Sequence, residues 1–314
     1  MQARDYNISV LLRLESLDIP QTGILPTLIM AVVSYCFILT CNLTILLAIA
    51  LDHNLHKPMY ILLFNLSIND LMGATAFFPQ LINSIHLQHR NISYPACVFQ
   101  ALTVHLYCAG ALTILTVMAY DRYVAICRPL HYHTIMTPST LIKMIVGIWV
   151  TDLVLVGTLF LLLTPFSLCQ TFISDVYCNN PSIMKLICDN TTVNNFYGLS
   201  LSVFLQGVSS IAVVFTYIQI LKTCLHNKQS NTKSKAIRTC ATHLVVFTVF
   251  QVTTIFTIMS HRFSQVSPYL RRSVGSSFLI FPPILNPLIY GLSTKEIRGK
   301  VMFLFNRNKI NFKK

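Results

Sequence analysis

In the stretch MAYDRYVAIC, residues 118 to 127, an acid and a base stand side by side at the end of a long apolar run. The Arg122 guanidinium is a permanently charged, planar fork of donors. Asp121 can neutralise it in one state and leave it free to grip a partner's backbone carbonyls in another. A second acid, Asp70 in NLSINDL, lies near the middle of another apolar run. An ionisable group inside a bilayer is costly and so points to function, and Asn42 and Asn286 fall at comparable depth as its natural partners in a buried polar network. Asp152 lies in a further apolar run and is assigned no role. His86 and His89 stand at helical spacing and could hold a metal with a third ligand, but two solvated histidines are the better reading, so no metal and no cofactor are expected.

The elements that must hold these residues follow from composition. The chain has 314 residues, 54% hydrophobic and only 11% charged, against roughly 25% charged for a soluble domain. A membrane helix needs roughly 20 apolar residues to cross the hydrocarbon. That ruler finds seven spans, at 24–50, 58–84, 97–128, 139–163, 196–224, 235–260 and 269–292. The expected fold is therefore an all-α membrane protein, a seven-helix bundle. It divides into an extracellular tail (1–23), a membrane domain (24–293) and a cytoplasmic tail (294–314). The tail 1–23 carries charges and no apolar core, so it does not read as a cleaved signal peptide, and the first span is expected to act as its own insertion signal. No internal repeat argues for a transporter, no pore-lining polar series for a channel, and no paired set of catalytic groups for an intramembrane hydrolase, so no enzyme is expected.

With the N-terminus outside, most of the 23 lysines and arginines fall on the cytoplasmic side, leaving Arg4, Arg13, Arg90, Lys185, Arg262, Arg271 and Arg272 outside, in line with the positive-inside rule. The formal net charge of +13 then belongs mainly to the face that meets anionic lipid, and nucleic acid is not an expected partner. Three sequons, at Asn7, Asn91 and Asn190, all fall on the outer side, as glycosylation requires. Cys97, Cys169, Cys178 and Cys188 share the oxidising compartment, where four cysteines allow three pairings among which spacing alone cannot choose. In the seventh span, FPPILNPLIYGLS places Pro282, Pro283 and Pro287 where each removes a backbone hydrogen bond and bends the helix.

Four stretches taken together, LHKPMYILLFNLSINDL (55–71), MAYDRYVAICRPLHY (118–132), KAIRTCATHLVVF (235–247) and PPILNPLIYGLSTKEIR (282–298), resemble the signature segments of vertebrate odorant receptors, a branch of the rhodopsin-like G-protein-coupled receptors. The resemblance runs in order through nearly the whole chain. It implies a ligand-gated switch that activates a stimulatory, olfactory-type heterotrimeric G protein and raises cyclic AMP, in a multi-pass protein of the plasma membrane, in olfactory sensory cilia. Asp121, Arg122 and Tyr123 would form the cytoplasmic switch, with Tyr217, His243 and Tyr290 rearranging against Arg122 and residues Arg128 to Tyr132 meeting the G protein. The same resemblance implies the disulfides Cys97 with Cys178 and Cys169 with Cys188. It also implies a short amphipathic eighth helix on the cytoplasmic side, where Lys295 to Phe305 alternate bases with Val301, Phe303, Leu304 and Phe305. Three positions depart from the family's usual pattern. Ala111 stands where many members have glutamate, Pro282 where many rhodopsin-like receptors have a polar ligand for sodium near Asp70, and no cysteine follows Tyr290 for a palmitoyl anchor.

Receptors of this fold bind small molecules between the outer halves of helices three, five, six and seven. The expected lining is Val104, His105 and Cys108 on helix three, Ser202 and Gln206 on helix five, and Gln251 and Thr254 on helix six. Arg262 in SHRF stands at the outer end of helix six, where a guanidinium above an apolar cavity can bind a carboxylate, sulfate or phosphate. The His-Arg-Phe sequence there resembles the fish-like branch of the family. The expected ligand is a small polar or anionic odorant, with a non-odour metabolite sensed outside the olfactory epithelium as the alternative.

Overall fold

A computed structural model of the chain describes residues 10–15, 19–87, 90–226, 230–263, 266–293 and 296–302; of 230–239, 268–269 and 291–293 only the backbone is described. Asn7, His89, Lys295 and Phe303 to Phe305 lie outside those residues. Seven long helices run through it: α1 (Gln21–Leu51), α2 (Pro58–Leu87), α3 (Tyr94–Cys127), α4 (Pro138–Leu161), α5 (Thr192–His226), α6 (Ser230–Ser260) and α7 (Pro268–Ser293). All seven contain a segment long and apolar enough to cross a membrane. Their ends carry the expected chemistry. Thr137 caps α4 by accepting from the Thr140 amide at 3.2 Å, just before Pro138 at the first helical position. Residues 296–302 are also helical, the start of the expected eighth helix.

The bundle turns large apolar side chains outward, among them Leu25, Val33 and Leu47 on α1 and Phe204, Ile211 and Phe215 on α5. In water such faces would drive association; in a bilayer they are the surface that lipid wets. Inside, α3 is the hub, packed against α2, α4, α5 and α6. It comes close to α2 because each of the two helices sets a glycine against a large side chain of the other. A Cβ on Gly73 of α2 would stand 2.5 Å from the Tyr107 ring, and one on Gly110 would collide with the Asn69 side chain, whose amide donates to the Tyr107 carbonyl at 3.0 Å.

The three prolines of α7 leave the carbonyls of Phe278, Leu279 and Pro283 without their helical donors, and neighbouring helices satisfy the first and the last. Pro282 has no N–H to offer the carbonyl of Phe278, which instead accepts from the Tyr107 hydroxyl of α3 at 2.9 Å. Pro287 likewise leaves the carbonyl of Pro283, which accepts from Asn42 Nδ2 of α1 at 3.0 Å. A buried backbone group in lipid must find a partner, and these two bonds tie the bent helix to α1 and α3.

On the extracellular face the tail contributes an element that the sequence reading did not anticipate. β1 (Leu11–Leu14) lies between β2 (Asn91–Ser93), antiparallel with Leu12 opposite Ile92, and β3 (Phe172–Ile173), parallel with Leu14 opposite Ile173. Leu12 and Leu14 point inward and are buried, with Ile92 and Ile173 beside them. The fold is a helical bundle with a three-stranded cap.

Candidate ligand cavity and cytoplasmic switch

A cavity of about 140 Å³ opens between the outer halves of α3, α5, α6 and α7 and the loop between α4 and α5. Val104, His105 and Cys108 line it from α3, Ser202 and Gln206 from α5, and Thr254 and Arg262 from α6 and its outer end, so seven of the eight expected residues are brought together there. Gln251 is not among them. It lies one turn deeper, with Nε2 donating to the Gln206 carbonyl at 3.0 Å and to Ser210 Oγ at 2.6 Å, and so stitches α6 to α5 below the floor. Helical spacing put Gln251 and Thr254 on one face but could not say how far down the cavity reaches. Leu159, Leu205 and Phe278 supply apolar wall.

The cavity's roof was not foreseen. Cys178 is bonded to Cys97 at the top of α3, which draws Tyr177, Asn179, Asn180 and Pro181 over the opening, and Cys169 is bonded to Cys188 within the same loop. The disulfide carried the signal: whatever flanks Cys178 must lie above α3. At the roof, buried Asp175 gathers Asn179 Nδ2 at 3.1 Å, the Ser182 hydroxyl, His261 Nε2 at 3.1 Å and Arg271 Nε at 3.4 Å. Burial alone would raise its carboxyl, but the His261 hydrogen bond and charge, then Ser182 and Asn179, hold it well below the usual carboxylate range. The backbone carbonyl of Asp175 accepts from the Glu15 amide at 3.2 Å, fastening the roof to the end of β1. Arg262 is exposed at the mouth and donates through Nη1 to Asn195 of α5. Burial pulls its guanidinium somewhat below the usual arginine value, which leaves it a cation.

At the opposite end, Asp121 is buried and accepts from Arg122 Nε at 2.9 Å and from Arg122 Nη2. Its other oxygen accepts from the Tyr132 hydroxyl at 2.8 Å. Burial, then the carboxylate beside it, keeps the Tyr132 phenol well above its usual value, so it stays a donor. The Tyr217 hydroxyl meets His243 Nδ1 at 2.7 Å, and the Tyr290 ring tilts against His243 at 6.3 Å, so α5, α6 and α7 meet through these three side chains. Tyr123 does not join them: its ring lies near Phe215 of α5 and under the Arg128 guanidinium, 5.9 Å away.

Midway, Asn286 Nδ2 donates to Asp70 Oδ2 at 2.8 Å. Asn42, expected in the same network, is bonded to α7 backbone instead, because Pro287 left a carbonyl there for it. Asp152 accepts from Thr113 of α3 at 2.9 Å and so faces a neighbouring helix. No group of three residues suited to hold a metal is found among the described residues. Asn91 and Asn190 are both exposed on the outer face.

A small-molecule cavity at the outer end of seven membrane helices, joined to an acid–base pair at the inner end, defines a seven-helix transmembrane receptor. The family model "Olfactory receptor" matches residues 31–308. Human (Homo sapiens) olfactory receptor 51E1 is 36% identical over 84% of this chain and 84% of its own length. Olfactory receptor 51B5 is 35% identical over 88% and 89%, and olfactory receptor 52J3 is 34% identical over 87% and 88%. The chain belongs to the olfactory receptor family: it is a multi-pass membrane receptor for odorants that signals through a G protein, and not an enzyme.

Proposed function

We propose that this receptor answers a small polar or anionic odorant by activating a stimulatory, olfactory-type G protein and raising cyclic AMP, at the plasma membrane of olfactory sensory cilia. The observation that carries the ligand class is the guanidinium of Arg262 at the mouth of a cavity of about 140 Å³. A cavity of about 150 Å³ holds one benzene, so the ligand has on the order of six non-hydrogen atoms and its charge belongs at the mouth. Inside the membrane domain the ligand touches Phe278, whose carbonyl is held by Tyr107, and so acts on the bent part of α7. Movement of α6 and α7 reorganises Tyr217, His243 and Tyr290, frees Arg122 from Asp121, and opens the inner face to the G protein.

The test is cyclic AMP in cells expressing the receptor with an olfactory-type G protein, challenged with short carboxylates and with neutral odorants of equal size. Arg262→Ala is expected to abolish the acid response and spare any neutral one, while Arg122→Ala removes both, with surface expression measured in each case. Equal loss of acid and neutral responses in Arg262→Ala would count against an anion site.

A further inference from the structure

The cavity has a polarity of its own beyond the cation at its mouth. Each hydroxyl deeper inside gives its single hydrogen to its own helix: Ser202 to the Gly198 carbonyl at 2.8 Å, Thr254 to Phe250 at 2.8 Å and Thr257 to Thr253 at 2.8 Å. His105 places Nδ1 2.8 Å from the Ala101 carbonyl, an obligate acceptor, so the neutral ring carries its hydrogen there and leaves Nε2 a bare lone pair. Gln206 engages its amide nitrogen with Thr254 at 2.9 Å, while its side-chain oxygen has no partner among the described residues. The wall below the mouth therefore presents lone pairs, and the strong free donors belong to Arg262.

We infer that the ligand is a short hydroxy acid, its carboxylate at Arg262 and its hydroxyl donating inward to the acceptors of His105 and Ser202. This rests on the anion reading above and adds the second functional group. An ammonium in the same place would also donate, but among the described residues no carboxylate lines the cavity, and Asp175 behind the roof is already matched by His261 and Arg271. A buried cation without a counter-charge costs several kcal/mol, and a hydrogen-bonded hydroxyl does not. A plain alkyl acid leaves the lone pairs dry and unpaired, which is the condition under which a site discriminates most strongly against the analogue that lacks the hydroxyl.

The experiment is a cyclic AMP dose response to butyrate, 3-hydroxybutyrate, 4-hydroxybutyrate and 4-aminobutyrate, with surface expression quantified. One hydroxy acid is expected to have a half-maximal concentration about tenfold below that of butyrate, one good buried hydrogen bond's worth. 4-Aminobutyrate is expected to be the weakest. His105→Phe, which keeps an aromatic ring against Phe160, and Ser202→Ala, which removes only a hydroxyl bonded to its own helix, should each narrow the ratio between butyrate and that hydroxy acid, whatever either does to the butyrate value itself. Butyrate as potent as both hydroxy acids would overturn the inference and leave an acid receptor standing, as would a ratio that survives both substitutions or a more potent 4-aminobutyrate. Silence to every acid from a receptor present at the surface would overturn the anion reading and this inference together.

Discussion

The Tyr107 hydroxyl is the partner of a carbonyl that Pro282 cannot serve, so its loss leaves a bare acceptor in a dry interior. Tyr107→Phe keeps the ring that packs on Gly73 and is expected to cost about 1–3 kcal/mol, the penalty of one unpaired buried group. A lower melting temperature of the detergent-solubilised receptor would show it; an unchanged one would mean that the carbonyl had found another donor. Asp175 makes a prediction with a sign. Its folded value is depressed, so its contribution is whole above the unfolded carboxylate value of about 3.9 and is lost only as pH falls below that value. Asp175→Asn should therefore melt lower than the parent at pH 7.5 and still lower than it at pH 5. If the difference vanished by pH 5, the carboxylate would not be held down by His261 and its neighbours.

Among the elements, the long helices were legible because lipid leaves the sequence little choice: some twenty predominantly apolar residues with few charges is a signal that no neighbour can mask. The ends moved by a few residues, as in α5, read from 196 and found from Thr192. β1 was not legible. Four residues of alternation, Leu11-Leu12-Arg13-Leu14, fall below any periodic signal, and what makes them a strand is the pair of loop segments on either side. The cavity was half legible for a similar reason. Residues at i and i+4 on one helix could be placed on a face, but residues 175–181 owe their place to the Cys97–Cys178 bond and to β1. The cap makes a testable claim of its own. Leu12→Ala with Leu14→Ala removes two fully enclosed leucines, at about 2–5 kcal/mol each where the site cannot collapse. Expected are reduced surface expression and a weakened ligand response, since the roof hangs from the Glu15 amide. A receptor with normal expression and an unchanged dose response would make β1 dispensable.

Across the whole molecule, side-chain contacts stand at successive depths from the cavity to the cytoplasm: Phe278 and Tyr107 at the bend of α7, Asn286 with Asp70 below, then Tyr290, His243 and Tyr217, with Arg122 held by Asp121 at the inner end. Such a chain is not by itself evidence of coupling; the test is whether weakening one end of the two-state element shifts the whole. Tyr132 offers the gentlest handle. It lies outside the helices proposed to move, is not among the residues that line the cavity, and donates one hydrogen bond to Asp121, the acid of the proposed latch. Tyr132→Phe removes about 1 kcal/mol from the latched state alone, which multiplies the active fraction by about five while that fraction is small. Ligand-free cyclic AMP should rise by that factor at equal surface expression. Linkage requires the half-maximal concentration of any agonist to fall in the same direction, because the agonist no longer works against that bond. Higher basal signalling with an unchanged agonist concentration would place Tyr132 in the contact with the G protein; no change in either would show that the Asp121–Tyr132 bond does not distinguish the two states.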